Sequence, residues 1–165
     1  MADFGKRSLI AATFLVTTCA VQCAQAAEPP ADVCSLLPTV EVSKALGKAV
    51  YSLQKSVAPR PYRDTAEGTD CHYEPQGTGS DLLFRMYVDP SPSAATDLFA
   101  RLKMFYGPPT PISGIGDEAY FDARHGFHAR KGKVRFYLLL GKVGTFAPAN
   151  EKQLKDLASL VANQL

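Results

Sequence analysis

The chain has 165 residues, 46% of them apolar and 21% charged, with a formal net charge of +2. That length suits one domain with a real core and is too short for two. A charge so near balance argues against wholesale nucleic-acid binding.

Lys6 and Arg7 precede an apolar run from Leu9 to Ala20, too short to span a bilayer comfortably and followed by small residues. This is the order of an export signal, and Ala24-Gln25-Ala26 satisfies the small-x-small cleavage rule. The reading is a signal peptide over residues 1–26 and one domain over 27–165, placed in the periplasm or secreted. Thr18 before Cys19 and Gln22 before Cys23 are poor in the small position that precedes a lipidated cysteine. No stable membrane anchor is therefore expected after cleavage. Removing Lys6, Arg7 and Asp3 takes the formal charge from +2 to +1. Only Cys34 and Cys71 remain, and two cysteines in an exported protein most often pair. A Cys34–Cys71 disulfide is expected, tying the N-terminal helix to the first long hairpin.

Pro38-Thr39 opens a short helix, Val40 to Leu46, which Gly47 ends. Lys48 to Lys55 alternates weakly, as a strand would, and the proline-bearing, charged stretch from Ser56 to Asp70 reads as an exposed loop. Cys71 to Glu74 and Leu82 to Val88 form a hairpin, with Leu82, Phe84, Met86 and Val88 buried and Arg85 and Tyr87 outward. Its Gly77-Thr78-Gly79-Ser80 turn lacks the lysine and following helix of a phosphate loop. Ser91 or Ser93 caps a helix to about Tyr106, with Ala95, Leu98, Phe99, Leu102, Phe105 and Tyr106 at helical spacing. Gly107 and the prolines at 108, 109 and 111 enforce an extended link.

Ser113 to Lys142 reads as a β-meander. Val134, Phe136, Leu138 and Leu140 alternate with their neighbours in the period of a half-buried strand. A Lys131-Gly132 turn would set Ala129 opposite Val134 and Phe127 opposite Phe136. A three-residue loop, Arg124-His125-Gly126, with Gly126 left-handed, would pair Phe121 with Ala129 and Ala123 with Phe127. Asn150 with Gln153 resembles a capping box. It opens a final helix whose stripe is Leu154, Leu157, Ala158, Val161 and Leu165. Hairpins dominate and no β-α-β repeat appears. The fold class is α+β: a curved antiparallel sheet built from hairpins, with helices covering a face, in a single domain.

Four short segments occur in order: Cys34-Ser35-Leu36-Leu37, Ala45-Leu46-Gly47, Cys71-His72-Tyr73, and Gly114-Ile115-Gly116-Asp117-Glu118-Ala119-Tyr120. Together they resemble a domain-of-unknown-function family best known from actinobacterial cell-wall lipoproteins. The resemblance covers most of the chain from about Cys34 to Leu165, and departs from those members in the absent lipidation box. It implies this fold and export. It carries over no catalytic or ligand residue.

Arg124, Arg130, Lys131, Lys133, Arg135 and Lys142 lie between Ala123 and Gly144 with no acidic residue in the interval. In the expected register Arg130 faces Lys133 and His128 faces Arg135, and facing like charges destabilise a sheet. Arg130, Lys133, Arg135 and His128 are thus a candidate anion-binding surface with heads in solvent. Its partner would be a lipid headgroup, an envelope polymer or an acidic protein; the plainer account is a solvated face whose lysines deter edge pairing. His72, His125 and His128 have no metal-ligand spacing, there is no Gly-x-Ser-x-Gly elbow, and Asp117 and Glu118 point to opposite faces of a strand. No cofactor is expected. Three function classes remain: an exported, non-enzymatic binding or accessory module of the cell envelope, which the residues favour; an enzyme with a scattered site; and a structural component acting by protein–protein contact.

Overall fold

The computed structural model describes residues 31–57, 68–141 and 151–165. The expected leader, most of the expected Ser56–Asp70 loop, Lys142 and the expected cap residue Asn150 lie outside the described residues. A 3-10 turn, Val33–Leu36, leads into α1, Thr39–Leu46. The strands are β1, Val50–Val57; β2, Gly68–Pro75; β3, Leu82–Val88; β4, Thr110–Ile112; β5, Glu118–Phe121; β6, Phe127–Lys131; and β7, Val134–Leu140. Between β3 and β4 runs α2, Pro92–Phe105, and α3, Glu151–Gln164, closes the chain. The seven strands form one open sheet, every neighbouring pair antiparallel, in the order β1-β2-β3-β7-β6-β5-β4. The chain is an α+β single domain.

Local chemistry sets the helix ends. Gly47 ends α1 in the left-handed region, φ +69°, where a Cβ would be strained. The Ser91 hydroxyl accepts from the Ala94 N–H, and Pro92 occupies the first turn of α2, where its missing N–H costs nothing. Gln153 does not turn back to cap α3: its amide donates to the Ala45 carbonyl at 2.7 Å and so ties α3 to α1.

Helices pack on both faces of the sheet, where the sequence suggested one. Tyr120 and Phe121 show why, since successive strand residues point to opposite sides. Phe121 faces α3, where Lys155 lies over its ring at 5.5 Å; Tyr120 faces α2, edge-on to Phe99 at 5.1 Å. On the α1/α3 side the main core holds Leu82, Phe84, Phe127, Phe136, Leu138, Leu154 and Val161, all buried. The Cys34–Cys71 disulfide, Cα–Cα 5.3 Å, pins the 3-10 turn to β2 in this layer, and the buried Tyr73 hydroxyl donates to the Leu37 carbonyl beside it.

The second layer changes several outward assignments. Tyr87 is buried, and Arg85 donates both its Nε and an Nη to the buried Asp70 at 2.5 and 2.6 Å. In α2 only Ala95, Leu98 and Phe99 of the expected stripe are buried; Phe105 is 58% exposed, while its neighbours Lys103 and Tyr106 meet Glu118 and His128 on the sheet.

Both meander hairpins sit two residues from the expected register, and an even shift leaves every side chain on its face. In the second, Lys131 opposes Val134, and Gly132 is the first of two turn residues at φ +56°. Asp117 fixes this by accepting the Gly132 N–H at 2.8 Å. In the first, Phe121 pairs with Phe127 and Ala119 with Ala129. The loop is Ala123-Arg124-His125, and His125, not Gly126, is left-handed at φ +60°. Asp122 makes that possible: its Oδ1 accepts the Arg124 and Gly126 N–H groups at 2.8 and 2.9 Å, and its carbonyl accepts the His125 N–H. Gly126 is needed for space instead, since a Cβ there would lie 2.5 Å from a ring carbon of Tyr137.

Candidate functional site: the charged layer beneath α2

The expected anion site falls on β6, β7 and the turn between them, and the heads of three of its four residues are not in solvent. Arg135 on β7 is 2% exposed and His128 on β6 is 7% exposed. The side chain of Arg130 retains 13% of its surface. Lys133 occupies the second turn position, half-buried, and its carbonyl accepts the Asp89 N–H at 2.8 Å. The expectation of an exposed basic face is corrected: α2 and the strand ends cover it.

Each buried cation meets a carboxylate. Arg135 grips Asp89, just past β3, with Nε at 2.5 Å from Oδ2 and an Nη at 3.0 Å from Oδ1, and its guanidinium lies 4.9 Å from the Tyr87 ring centre. Arg130 donates to Asp117 at 2.9 Å. The two arginines do face each other across β6 and β7, so the like-charge contact is real. Asp89 and Asp117 flank it and neutralise it from either side. Bidentate, desolvated pairing of this kind holds a guanidinium in place and leaves its donors engaged.

His128 is the centre of a second cluster. Its Nε2 donates to Asp122 Oδ2 at 2.9 Å. The ring stacks on Tyr120 at 4.7 Å with 5° between planes, and packs against Tyr137 at 4.6 Å and Tyr106 at 5.5 Å. Burial, aided by the charge of Arg135, pushes the imidazole below its ordinary pKa in spite of Asp122. Burial would raise the Asp122 carboxyl, but the His128 hydrogen bond, the His128 charge and the two loop N–H groups together hold it below the usual range. At neutral pH the pair is a neutral imidazole donating to a carboxylate. Burial raises the phenols of Tyr120 and Tyr137 well above the ordinary range, so both stay protonated.

Chemically, an aspartate-oriented histidine resembles part of a general-base arrangement, but proton transfer needs the base within reach of a substrate. His128 is sealed among three tyrosine rings. Among the described residues, no group of three or more His, Cys, Asp or Glu side chains is placed to hold a metal ion. The His72 ring lies 3.5 Å from Asp70 and the His125 ring 3.7 Å from Glu151, so neither imidazole is paired with Asp122. What the arrangement does is lock the β5–β6 loop onto β7.

A pH dependence follows. The folded-state pKa of His128 is depressed, so the unfolded chain takes up this proton first, and stability is lost as pH falls below about 6.5. The depressed Asp122 adds a further loss below about 4. Melting temperature should fall between pH 7 and 5, and His128→Gln, which keeps an N–H for Asp122, should flatten that part of the curve. An unchanged slope in the variant would remove His128 as its cause.

The sequence reading missed the other open surface. Strand β1 is a sheet edge of eight residues, and Tyr51 through Ser56 are all exposed. It carries one charge, Lys55, and no proline. Tyr51 and Leu53 keep 50% and 48% of their surface and stand on the same sheet face as His72, Leu83 and Leu139. The Tyr51 hydroxyl is hydrogen-bonded to Glu74 on β2. The opposite edge, β4, is three residues long with Pro111 at its middle, which blunts it. The signal in the sequence was the weak alternation of Tyr51, Leu53 and Lys55, which carries no mark of an edge.

No family model matches the chain, and neither a curated protein nor a solved structure matches it. Among the described residues no helix is long and apolar enough to cross a membrane.

Proposed function

We propose that the protein is an exported, non-enzymatic binding or accessory module of the cell envelope, acting in the periplasm or outside the cell. Its recognition surface in this reading is the β1 edge together with the adjoining sheet face. The leader sequence, the Cys34–Cys71 disulfide and the resemblance in four short segments support export.

The observation that carries the binding reading is the contrast between the two sheet edges. An edge strand presents unpaired N–H and C=O groups, and proteins ordinarily blunt them with charge, proline or brevity. β4 is blunted, whereas among the described residues β1 has only Lys55 and the contacts of Gln54 with Val33 and Ala31 along it. A long, nearly uncharged edge with an exposed tyrosine and leucine fits strand addition, in which an extended segment of a partner supplies backbone hydrogen bonds and side-chain contacts. The partner is therefore an extended protein segment. Recognition of an anionic component through Arg130, Lys133, Arg135 and His128 would require breaking the Asp89, Asp117 and Asp122 contacts first.

A photo-crosslinking residue at Leu53, in the exporting cell, tests this. Position 40 on α1 is the control, since Val40 is 67% exposed and lies on a helix, not on the strand edge. Position 53 should give a discrete protein adduct, lost on adding Lys at Tyr51, while position 40 gives none. Equal adducts at both positions, or none at 53, would remove the edge as the recognition surface.

A further inference from the structure

The second exposed apolar region lies at the end of α2. Met104 is 79% exposed and Phe105 58% exposed, the largest such values among the described large apolar residues apart from Val40. Pro108 and Pro109 follow, both exposed. The Ala123-Arg124-His125 tip meets this corner, since a Cβ on Gly107 would lie 3.1 Å from the Ala123 Cβ. Arg101, three and four residues before Met104 and Phe105, shares their helix surface. Arg124 is exposed at the hairpin tip, and neither arginine has an ion pair among the described residues. The acidic groups nearby are Glu118, held by Lys103, Glu151, beside His125, and the exposed Asp97 one turn before Arg101.

We propose that this corner docks onto an anionic lipid surface, with Met104 and Phe105 entering the headgroup boundary and Arg101 and Arg124 meeting lipid phosphates. Met104, Pro108 and Pro109 line a shallow open groove with Ala100 and Gly107. The charge pattern suits an anionic bilayer better than a neutral protein segment, since the exposed apolar groups are flanked by the exposed Arg101 and Arg124, the arrangement that partitions into an interface. Each arginine adds attraction to an anionic leaflet that decays within a Debye length. The corner lies over β5 and β6, where Lys103 meets Glu118 and Tyr106 meets His128, four to five strand spacings from β1, roughly 19–24 Å. A docked molecule therefore leaves the β1 edge free. The inference does not rest on the strand-edge reading, and either stands if the other fails.

The test is co-sedimentation of the exported protein, purified after processing, with vesicles of phosphatidylglycerol and phosphatidylcholine or of phosphatidylcholine alone. Binding to the anionic vesicles should exceed binding to the neutral ones and weaken as salt rises. Met104→Ser with Phe105→Ser should reduce it about tenfold or more. Arg101→Ser with Arg124→Ser should also reduce it about tenfold. All four side chains are exposed, so far-ultraviolet circular dichroism and the melting temperature should be little changed. No binding, equal binding to neutral vesicles, or binding that survives the Met104/Phe105 substitutions would each overturn the proposal. A protein adduct mapped to position 104 without vesicle binding would assign the corner to a protein partner and overturn it equally.

Discussion

Replacing Asp89 with alanine is expected to cost about 3–5 kcal/mol of folding stability, because Arg135 stays buried after losing its carboxylate. Asp89 and Arg135 side chains keep 0% and 3% of their surface, so water cannot substitute for the missing partner. In a domain of this size that loss should lower the melting temperature by about 10–20 °C. A buried pair is not automatically worth its full attraction, since desolvating both charges offsets much of it. The double variant Asp89→Leu with Arg135→Met should therefore recover most of the loss. An Asp89→Ala protein as stable as the parent would mean that the arginine is not confined as described.

Removing the disulfide ranks with it. Cys34 and Cys71 are 37 residues apart, and opening a loop of that size releases about 4 kcal/mol of unfolded-state entropy at most. The bridge also anchors the 3-10 turn, whose Val33 and Leu36 belong to the main core. Cys34→Ala with Cys71→Ala should lower the denaturation midpoint with little change in the folded-state spectrum. If reduction and substitution both leave the midpoint unmoved, the bridge is not closed in the purified protein.

The parts of the fold legible in the sequence were those written in local periods. The stripe of α3, the alternation of β7 and the cap of α2 are each readable within a few residues, and antiparallel hairpins follow from the turns between them. Face assignment survived even where register did not, because both hairpins slipped by two. The slips came from Asp122 and Asp117, whose side chains bond loop N–H groups and so choose the turn residues. The charged layer was misread for a different reason. Counting from Ala123 to Gly144 finds six cations and no acid, yet the neutralising carboxylates are Asp89, Asp117 and Asp122, all outside that interval. Asp89 lies 46 positions from the arginine it holds. Pairing across a sheet is non-local, and net charge along a segment does not report it. The burial of Tyr87 and Arg135 was equally invisible, since it depends on α2 crossing to the second face.

Hydrogen exchange along β1 most directly tests whether recognition runs through that edge. The outward amides between Tyr51 and Ser56 should exchange quickly in the isolated protein, because no neighbouring strand among the described residues pairs with them. In protein retained on the envelope of the exporting cell, those same amides should slow by about tenfold or more as a partner strand pairs with them. The amides of β7, paired on both sides already, should not change. Retention on the envelope with β1 exchanging as fast as before would contradict the account and move recognition to another surface.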